Sequence, residues 1–345
     1  MSHFVFVPAT AAPEPGADLT RQTTLALARI DKRLRAERSS LADAVVITVY
    51  LKQASDFAAM NDAYRQAWTG TPPTRTTVIT EPITPGALVE IAAVAARAGA
   101  DRRAVHPASW MASPNPYSYA IRSGDTLFLS GLIARNGKDN SVVSGDVATQ
   151  TRTVLENARE LLDAAGLSFA HVVSARAFLP DLKDFAEFNR VYREFLGADR
   201  PARATVGASL TTAAYNVEVT FVASAAPREA IEIAERPNPN LSAGVLAGGS
   251  LFISGVLADD EVLKRDPTAQ TRDINRKIEA VLGKAGMKKA DVRDLLVYVT
   301  DEDAARAAIA ECHAAFGTAP SLSAVRVGLA APGARVEIMT CAERG

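Results

Sequence analysis

The sequence predicts a mixed α/β (α+β) protein of three tandem β-β-α-β-α-β-β units closed into an intramolecular pseudo-trimer, with helices outside and sheets facing the centre. Three observations predict it. The chain matches itself at two displacements, each copy runs through the same order of strand and helix periodicities, and each unit alone leaves one sheet face uncovered. Displaced by 128 positions, Gln22-Thr23 falls on Gln150-Thr151, Asp56-Phe57 on Asp184-Phe185, Asn61 on Asn189, Tyr64 on Tyr192, Arg75 on Arg203 and Val89-Glu90 on Val217-Glu218, without a gap. A displacement near 120 carries Gln150-Thr151-Arg152 onto Gln270-Thr271-Arg272, Gly166 onto Gly286 and Asp181 onto Asp301. Ser130-Gly131 recurs as Ser254-Gly255.

The second copy is complete and defines the elements in order. Residues 117–121 and 125–131 read as a hairpin about the Ser123-Gly124 turn. Residues 146–165 have helical spacing of Val147, Val154, Leu155, Ala158, Leu161 and Leu162, with Gly166 as a natural stop. Residues 171–179 read as a strand, 182–196 as a second helix carrying Phe185, Phe188, Val191, Tyr192 and Phe195, and 202–210 and 215–224 as two further strands. Such a unit has two helices on one sheet face, so three units can bury their bare faces against one another. The expected units are residues 1–100, 104–226 and 237–345, with linkers at 98–112 and 226–239 where Gly, Pro, Arg and Asn accumulate. The first unit lacks a full leading hairpin, for which Phe4-Val5-Phe6-Val7 supplies one strand.

Among 345 residues, 38 Lys and Arg stand against 39 Asp and Glu, a net charge of −1. That balance argues against nucleic acid as the main partner, since phosphate recognition leaves a basic surface. Hydrophobic residues make up 48% of the chain, enough for a sizeable core, yet no window approaches the 18 apolar residues of a membrane span. Cys312 and Cys341 form no disulfide framework and have no zinc-ligand spacing, which points to a reducing cytoplasm. The apolar run at residues 4–7 is too short for a signal peptide and has no basic region before it.

The second copy resembles the Rid/YjgF family of reactive intermediate deaminases, also described as endoribonuclease L-PSP. The resemblance rests on Pro116-Tyr117-Ser118, Ser130-Gly131, Asp184-Phe185 with Asn189, Arg200-Pro201-Ala202-Arg203-Ala204 and Val217-Glu218. It extends over nearly the whole chain, because the first copy carries the later half of this set and the third carries scaffold positions. The resemblance implies a chorismate-mutase-like unit fold, clefts between adjacent units, and hydrolysis of 2-imino acids or their enamine tautomers to 2-oxo acids and ammonia without metal or organic cofactor. It implies that Arg203 and Arg75 hold the substrate carboxylate, for which a planar guanidinium offers two parallel donors. It also implies substrate contacts from Ser130, Gly131, Asn189, Asn61, Thr205 and Thr77, and catalytic roles for Tyr117, Glu218 and Glu90. In the third copy Leu322 stands at the arginine position, Leu241 at the tyrosine position and Ile309 or Ala310 at the asparagine position, so only Glu337 remains. A third arginine site is therefore not expected. Thr205 and Thr77 stand where the iminopropanoate deaminases often have cysteine.

Simpler roles are open to the same residues. Arg203 can pair with Glu218 across adjacent strands, and a glutamate in an apolar strand is either half of an ion pair or a catalytic group. Tyr117 can be a packed aromatic. His3, His106, His171 and His313 are far apart in repeat register, Ser130 and Ser254 lack the G-x-S-x-G elbow, and residues 29–38 read as a solvated helix face. The expected partner is a small carboxylate, with no nucleic acid and no membrane, and the pseudo-trimer acts as a monomer or assembles into a higher homo-oligomer. A deaminase, a chorismatase-like enzyme on the same scaffold, and a carboxylate-binding protein without turnover all stay open. A ribonuclease is the weakest reading.

Overall fold

The computed structural model describes residues 3–198, 200–233 and 238–344. The first unit runs β1 Phe4–Thr10, α1 Leu19–Ala36, β2 Ala44–Leu51, α2 Phe57–Arg65, β3 Thr74–Ile79 and β4 Val89–Ala96. The second runs β5 Arg103–Val105, β6 Ala120–Ser123, β7 Thr126–Leu129, α3 Val147–Ala164, β8 Val172–Leu179, α4 Phe185–Leu196, β9 Ala202–Gly207, β10 Ser209–Leu210 and β11 Glu218–Ser224. The third runs β12 Arg228–Ile231, β13 Gly244–Ala247, β14 Ser250–Val256, α5 Asp260–Leu263, α6 Pro267–Lys284, β15 Val292–Val299, α7 Glu302–Phe316, β16 Ser321–Arg326, β17 Gly328–Leu329 and β18 Val336–Glu343. The chain is thus α+β with three sheets, ordered β1-β4-β2-β3-β10, β17-β9-β8-β11-β7-β6-β5 and β12-β13-β14-β18-β15-β16.

The same local chemistry starts each long helix. Asp18, Asp146 and Asp266 accept from the backbone N–H three residues on, and Pro267 adds a preset first turn to α6. The repeated glutamine is a structural clamp. The side-chain carbonyls of Gln22, Gln150 and Gln270 accept from the N–H groups of Leu88, Asn216 and Arg335, and their amides donate to Gly86, Ala214 and Gly333 oxygens. Each ties its helix to the loop entering the unit's last strand. After α3 and α6 the chain turns through Gly166 at φ 71° and Gly286 at φ 67°, whereas Arg38 takes that left-handed position at φ 57° in the first unit.

Both linkers differ from expectation. β5 lies within residues 98–112 and pairs with β6, and Trp110 is buried; β12 lies before residue 237 and pairs with β13. These strands are too short and too charged to show an alternating pattern, and they form because a hairpin edge next to them offers unpaired backbone groups. Residues 234–237 of the second linker lie outside the described residues. Tyr117 lies before β6 rather than in it, and because Ser123 pairs with Thr126 the hairpin turns on Gly124-Asp125.

Short strands cross between units. β10 pairs with β3, and β17 pairs with β9, so the second unit is latched onto the first and the third onto the second. In the first unit Glu81-Pro82 falls where Ser209-Leu210 and Gly328-Leu329 form these strands. Pro82 has no N–H to donate, and among the described residues no such strand reaches β16. The first and third units still touch: the Ala9 N–H donates to Ser323 Oγ (2.9 Å) and the His3 N–H to Glu343 Oε2 (3.2 Å).

Strand register stacks equivalent residues in levels along the central axis. Val46, Ser174 and Asp294 form one level, Thr48, Arg176 and Leu296 the next, and Tyr50, Phe178 and Tyr298 the third, where Glu90, Glu218 and Glu337 pair opposite them. The three aromatic residues are fully buried in one apolar cluster drawn from all three units.

Candidate active site

Equivalent clefts lie at the seams, and in two of them an arginine from one unit meets a hairpin and glutamate from the next. Arg75 on β3 is 5% exposed. Its N–H donates to Ser130 Oγ (2.9 Å), its carbonyl accepts from the Gly131 N–H (3.0 Å), and Ser130 Oγ donates to the Ser118 carbonyl (2.7 Å). The guanidinium stands among three rings, with Cζ 5.6 Å from Phe57, 5.0 Å from Tyr64 and 5.5 Å from Tyr117 of the second unit. Its Nη1 is buried without a hydrogen-bond partner. Burial presses its pKa below the ordinary value, while Tyr64, Tyr117 and Glu218 oppose that.

Glu218 of the second unit completes this cleft. Its carboxyl is pushed up to about 8 by burial, against the pull of the Thr77 N–H, Arg75 and Arg176. At neutral pH it is mainly protonated, able first to give a proton and then to take one. Any side chain at Gly131 would overlap this carboxyl, so the glycine makes room for the acid. Asn61 donates to Asn115 Oδ1 (3.2 Å), its own Oδ1 is without a partner, and so is the buried Thr77 Oγ1. Trp110 and Tyr119 meet edge to face at 5.0 Å, and Tyr119 meets Tyr117 at 5.8 Å, which extends an aromatic wall from the guanidinium.

The second seam repeats the frame with different filling. Arg203, 2% exposed, donates its N–H to Ser254 Oγ (2.8 Å) and its Nη2 to Asn189 Oδ1 (2.6 Å), with Cζ 4.5 Å from Tyr192 and 5.4 Å from Phe188. Its Nε and Nη1 and the Thr205 Oγ1 are buried without partners. The facing acid is Glu337, also pushed up to about 8 by burial and drawn down by Arg203. Gly255 makes room for it as Gly131 does for Glu218. Ser242 makes the same two bonds to the arginine strand's approach, at Pro201 and Arg200, that Ser118 makes at Pro73 and Pro72. Leu241 therefore occupies the Tyr117 position.

At the third seam a leucine holds the arginine position. Leu322 pairs with Leu295 as Arg75 pairs with Ile47 and Arg203 with Ala175. Glu90, at this seam, accepts from the N–H groups of Ile83 (3.3 Å) and Thr84 (3.0 Å) and from Thr84 Oγ1 (2.6 Å).

Several expectations change. Tyr117, Gly131 and Glu218 share a cleft with Arg75, Asn61 and Thr77, whereas Arg203, Asn189 and Thr205 share one with Glu337, so the residues of one copy serve two seams. Arg203 does not pair with Glu218, because its strand faces the third unit. The Ser130 hydroxyl donates to the Ser118 carbonyl and the Gly131 N–H to the Arg75 carbonyl, which leaves neither as a donor for a substrate. Glu90 faces no arginine, and its carboxylate is tied to its own loop. Sequence reasoning did not assign Glu337 to Arg203, nor the shelf formed by Tyr64 and Tyr192, although their coincidence at the 128 displacement was a signal. Among the described residues no three His, Cys, Asp or Glu side chains are grouped to hold a metal, and no helix is long and apolar enough to cross a membrane.

Fold and site together define a class: α+β units that share clefts at their seams, here three in one polypeptide. The family model described as endoribonuclease L-PSP matches residues 7–97, 108–225 and 233–344, and the chain belongs to that family. A RutC family protein of Pyrococcus horikoshii is 41% identical over 108 residues, 31% of this chain and 86% of that protein. The human 2-iminobutanoate/2-iminopropanoate deaminase is 32% identical over 126 residues, 36% of this chain and 92% of that protein. Among solved structures, the YjgF gene product of E. coli is 29% identical and covers 36% of this chain and 98% of its own, with a TM-score of 0.34.

Proposed function

We propose that the protein hydrolyses a carboxylate-bearing imine or enamine to the oxo compound and ammonia, and that the cleft between the first and second units carries the reaction. The observation behind this reading is a buried guanidinium with an unpartnered Nη1, set in the same cleft as a neutral buried carboxyl. A desolvated cation calls for an anion, and the fork of Arg75 suits a carboxylate in two parallel bonds. With the carboxylate held there, Glu218 protonates the imine nitrogen. Water then adds to the iminium carbon while the Glu218 carboxylate takes its proton. Glu218 returns that proton to the amine of the carbinolamine, and ammonia leaves as the hydroxyl proton passes back to Glu218 and the C=O forms. Tyr117 caps the guanidinium and confines the substrate from the hairpin side. Similarity to proteins named as 2-imino acid deaminases supports this reading.

Ammonia release from enzymatically generated 2-iminopropanoate, or from a bulkier 2-imino acid suited to the Trp110–Tyr119 wall, tests it. The purified chain should speed release by at least about tenfold over buffer, in the range of positioned acid–base catalysis. Arg75→Ala combined with Arg203→Ala should remove the gain; full activity in that double variant would sink the assignment. Carboxylate binding without turnover suits the second cleft, where Leu241 replaces the tyrosine.

A further inference from the structure

On the central axis lies a cavity of about 140 Å³ lined by all three units and distinct from the clefts. Its walls are largely apolar: Phe6, Phe128 and Phe252 stand at equivalent positions, opposite Val94, Val222 and Cys341. Its lining carries one cation, Arg176, and two acids, Asp294 and Glu343, and Glu343 Oε2 already accepts from the His3 N–H. Arg176 stands at the level of Thr48 and Leu296, and Asp294 at the level of Val46 and Ser174, so neither charge is repeated in the other units. A homotrimer would have to bring three copies of either charge together on its axis, at a repulsive cost that fusion of the units removes.

Arg176 and Asp294 sense one another but form no ion pair among the described residues. Arg176 donates one long hydrogen bond, from Nη2 to Thr48 Oγ1 at 3.3 Å. Its guanidinium also lies near the hydroxyls of Tyr50 and Tyr298, whose pKa values it draws down against burial, and of the two tyrosines Tyr50 lines the chamber. Burial pushes the Asp294 pKa up to about 6, against the pull of the Ser321 hydroxyl and then of Arg176. Separated opposite charges among apolar walls are costly unless something satisfies both, and a molecule that carries one charge of each sign does so at no net charge.

We propose that this axial chamber binds an apolar α-amino acid, with Arg176 and the Tyr50 hydroxyl taking its carboxylate, Asp294 its ammonium group, and the ring of Phe6, Phe128 and Phe252 its side chain. The site is independent of the seam chemistry. Titration calorimetry of the full chain with L-leucine tests it. Binding in about the millimolar range is expected. Arg176→Leu and Asp294→Ser, which install residues the other units already carry at those levels, should each weaken it by at least about tenfold. Arg176→Lys serves in the same role should the leucine variant fail to fold. The combined Arg75→Ala and Arg203→Ala variant should bind leucine as the unaltered chain does, whereas 4-methyl-2-oxopentanoate and isopentylamine, each lacking one charge, should bind at least about tenfold more weakly. No heat with leucine at about 10 mM would overturn the proposal. So would binding that survives both axial variants, or binding that disappears with the two seam arginines.

Discussion

The cleft at the first seam and the cleft at the second share an arginine on the same strand, a glutamate pushed up to about 8, and a glycine that leaves room for it. They part at two points. Over Arg75 stands Tyr117, where Arg203 has Leu241; and Arg203 gives one donor to Asn189, whereas Asn61 turns to Asn115 and leaves the Arg75 guanidinium less engaged. A symmetric trimer would have to keep or lose such features in all its clefts at once. In this chain one cleft keeps the whole constellation, one keeps the arginine and glutamate without the tyrosine, and the third holds a leucine.

The largest effect should come from Arg75→Ala, which is expected to lower kcat/KM for imine hydrolysis by about a hundredfold or more, the loss of a charge-assisted bidentate contact. Arg203→Ala should cost less than about threefold in the same assay. Equal losses would break the contrast between the clefts. The acids give the next test, on stability. Their folded pKa of about 8 lies above the ordinary 4.5, so the folded state binds more protons than the unfolded one between those values. Their contribution is full below about 4.5 and is lost as pH rises through about 8. Thermal midpoints followed from pH 5 to 9 should fall from these groups, and Glu218→Gln and Glu337→Gln should each flatten part of the fall. If only one does, the two buried acids are not equivalent. The smallest effect is Leu241→Tyr in an Arg75→Ala background. A ring restored over Arg203 should tighten 2-oxo acid binding there by a few fold, about 0.5–1 kcal/mol of cation–π attraction. Unchanged affinity would show that the missing ring is not what separates the clefts.

Much of this was legible in the residues. The Gln-Thr pairs revealed the repeat because a buried glutamine clamp is required in every unit, and the arginines and glutamates stood out as charges in apolar strands. What the sequence could not show was which residues meet. Arg75 reaches Ser130 across 55 positions, and Glu218 takes the Thr77 N–H from another unit, so the pairing depends on how units dock rather than on any local pattern. β5 and β12 were hidden for a related reason: three or four residues gain strand structure only when an edge is there to receive them.

Pro82 has a consequence for how the molecule comes apart. Two seams are joined twice over, by a peptide linker and by a strand laid across the boundary; the one between the third and first units has neither. Opening should therefore begin there, with amide exchange in β1 and β16 outpacing that in β3 and β9. The ring would part as a clasp, swinging into an arc whose arginine clefts stay assembled while its axial chamber is laid bare.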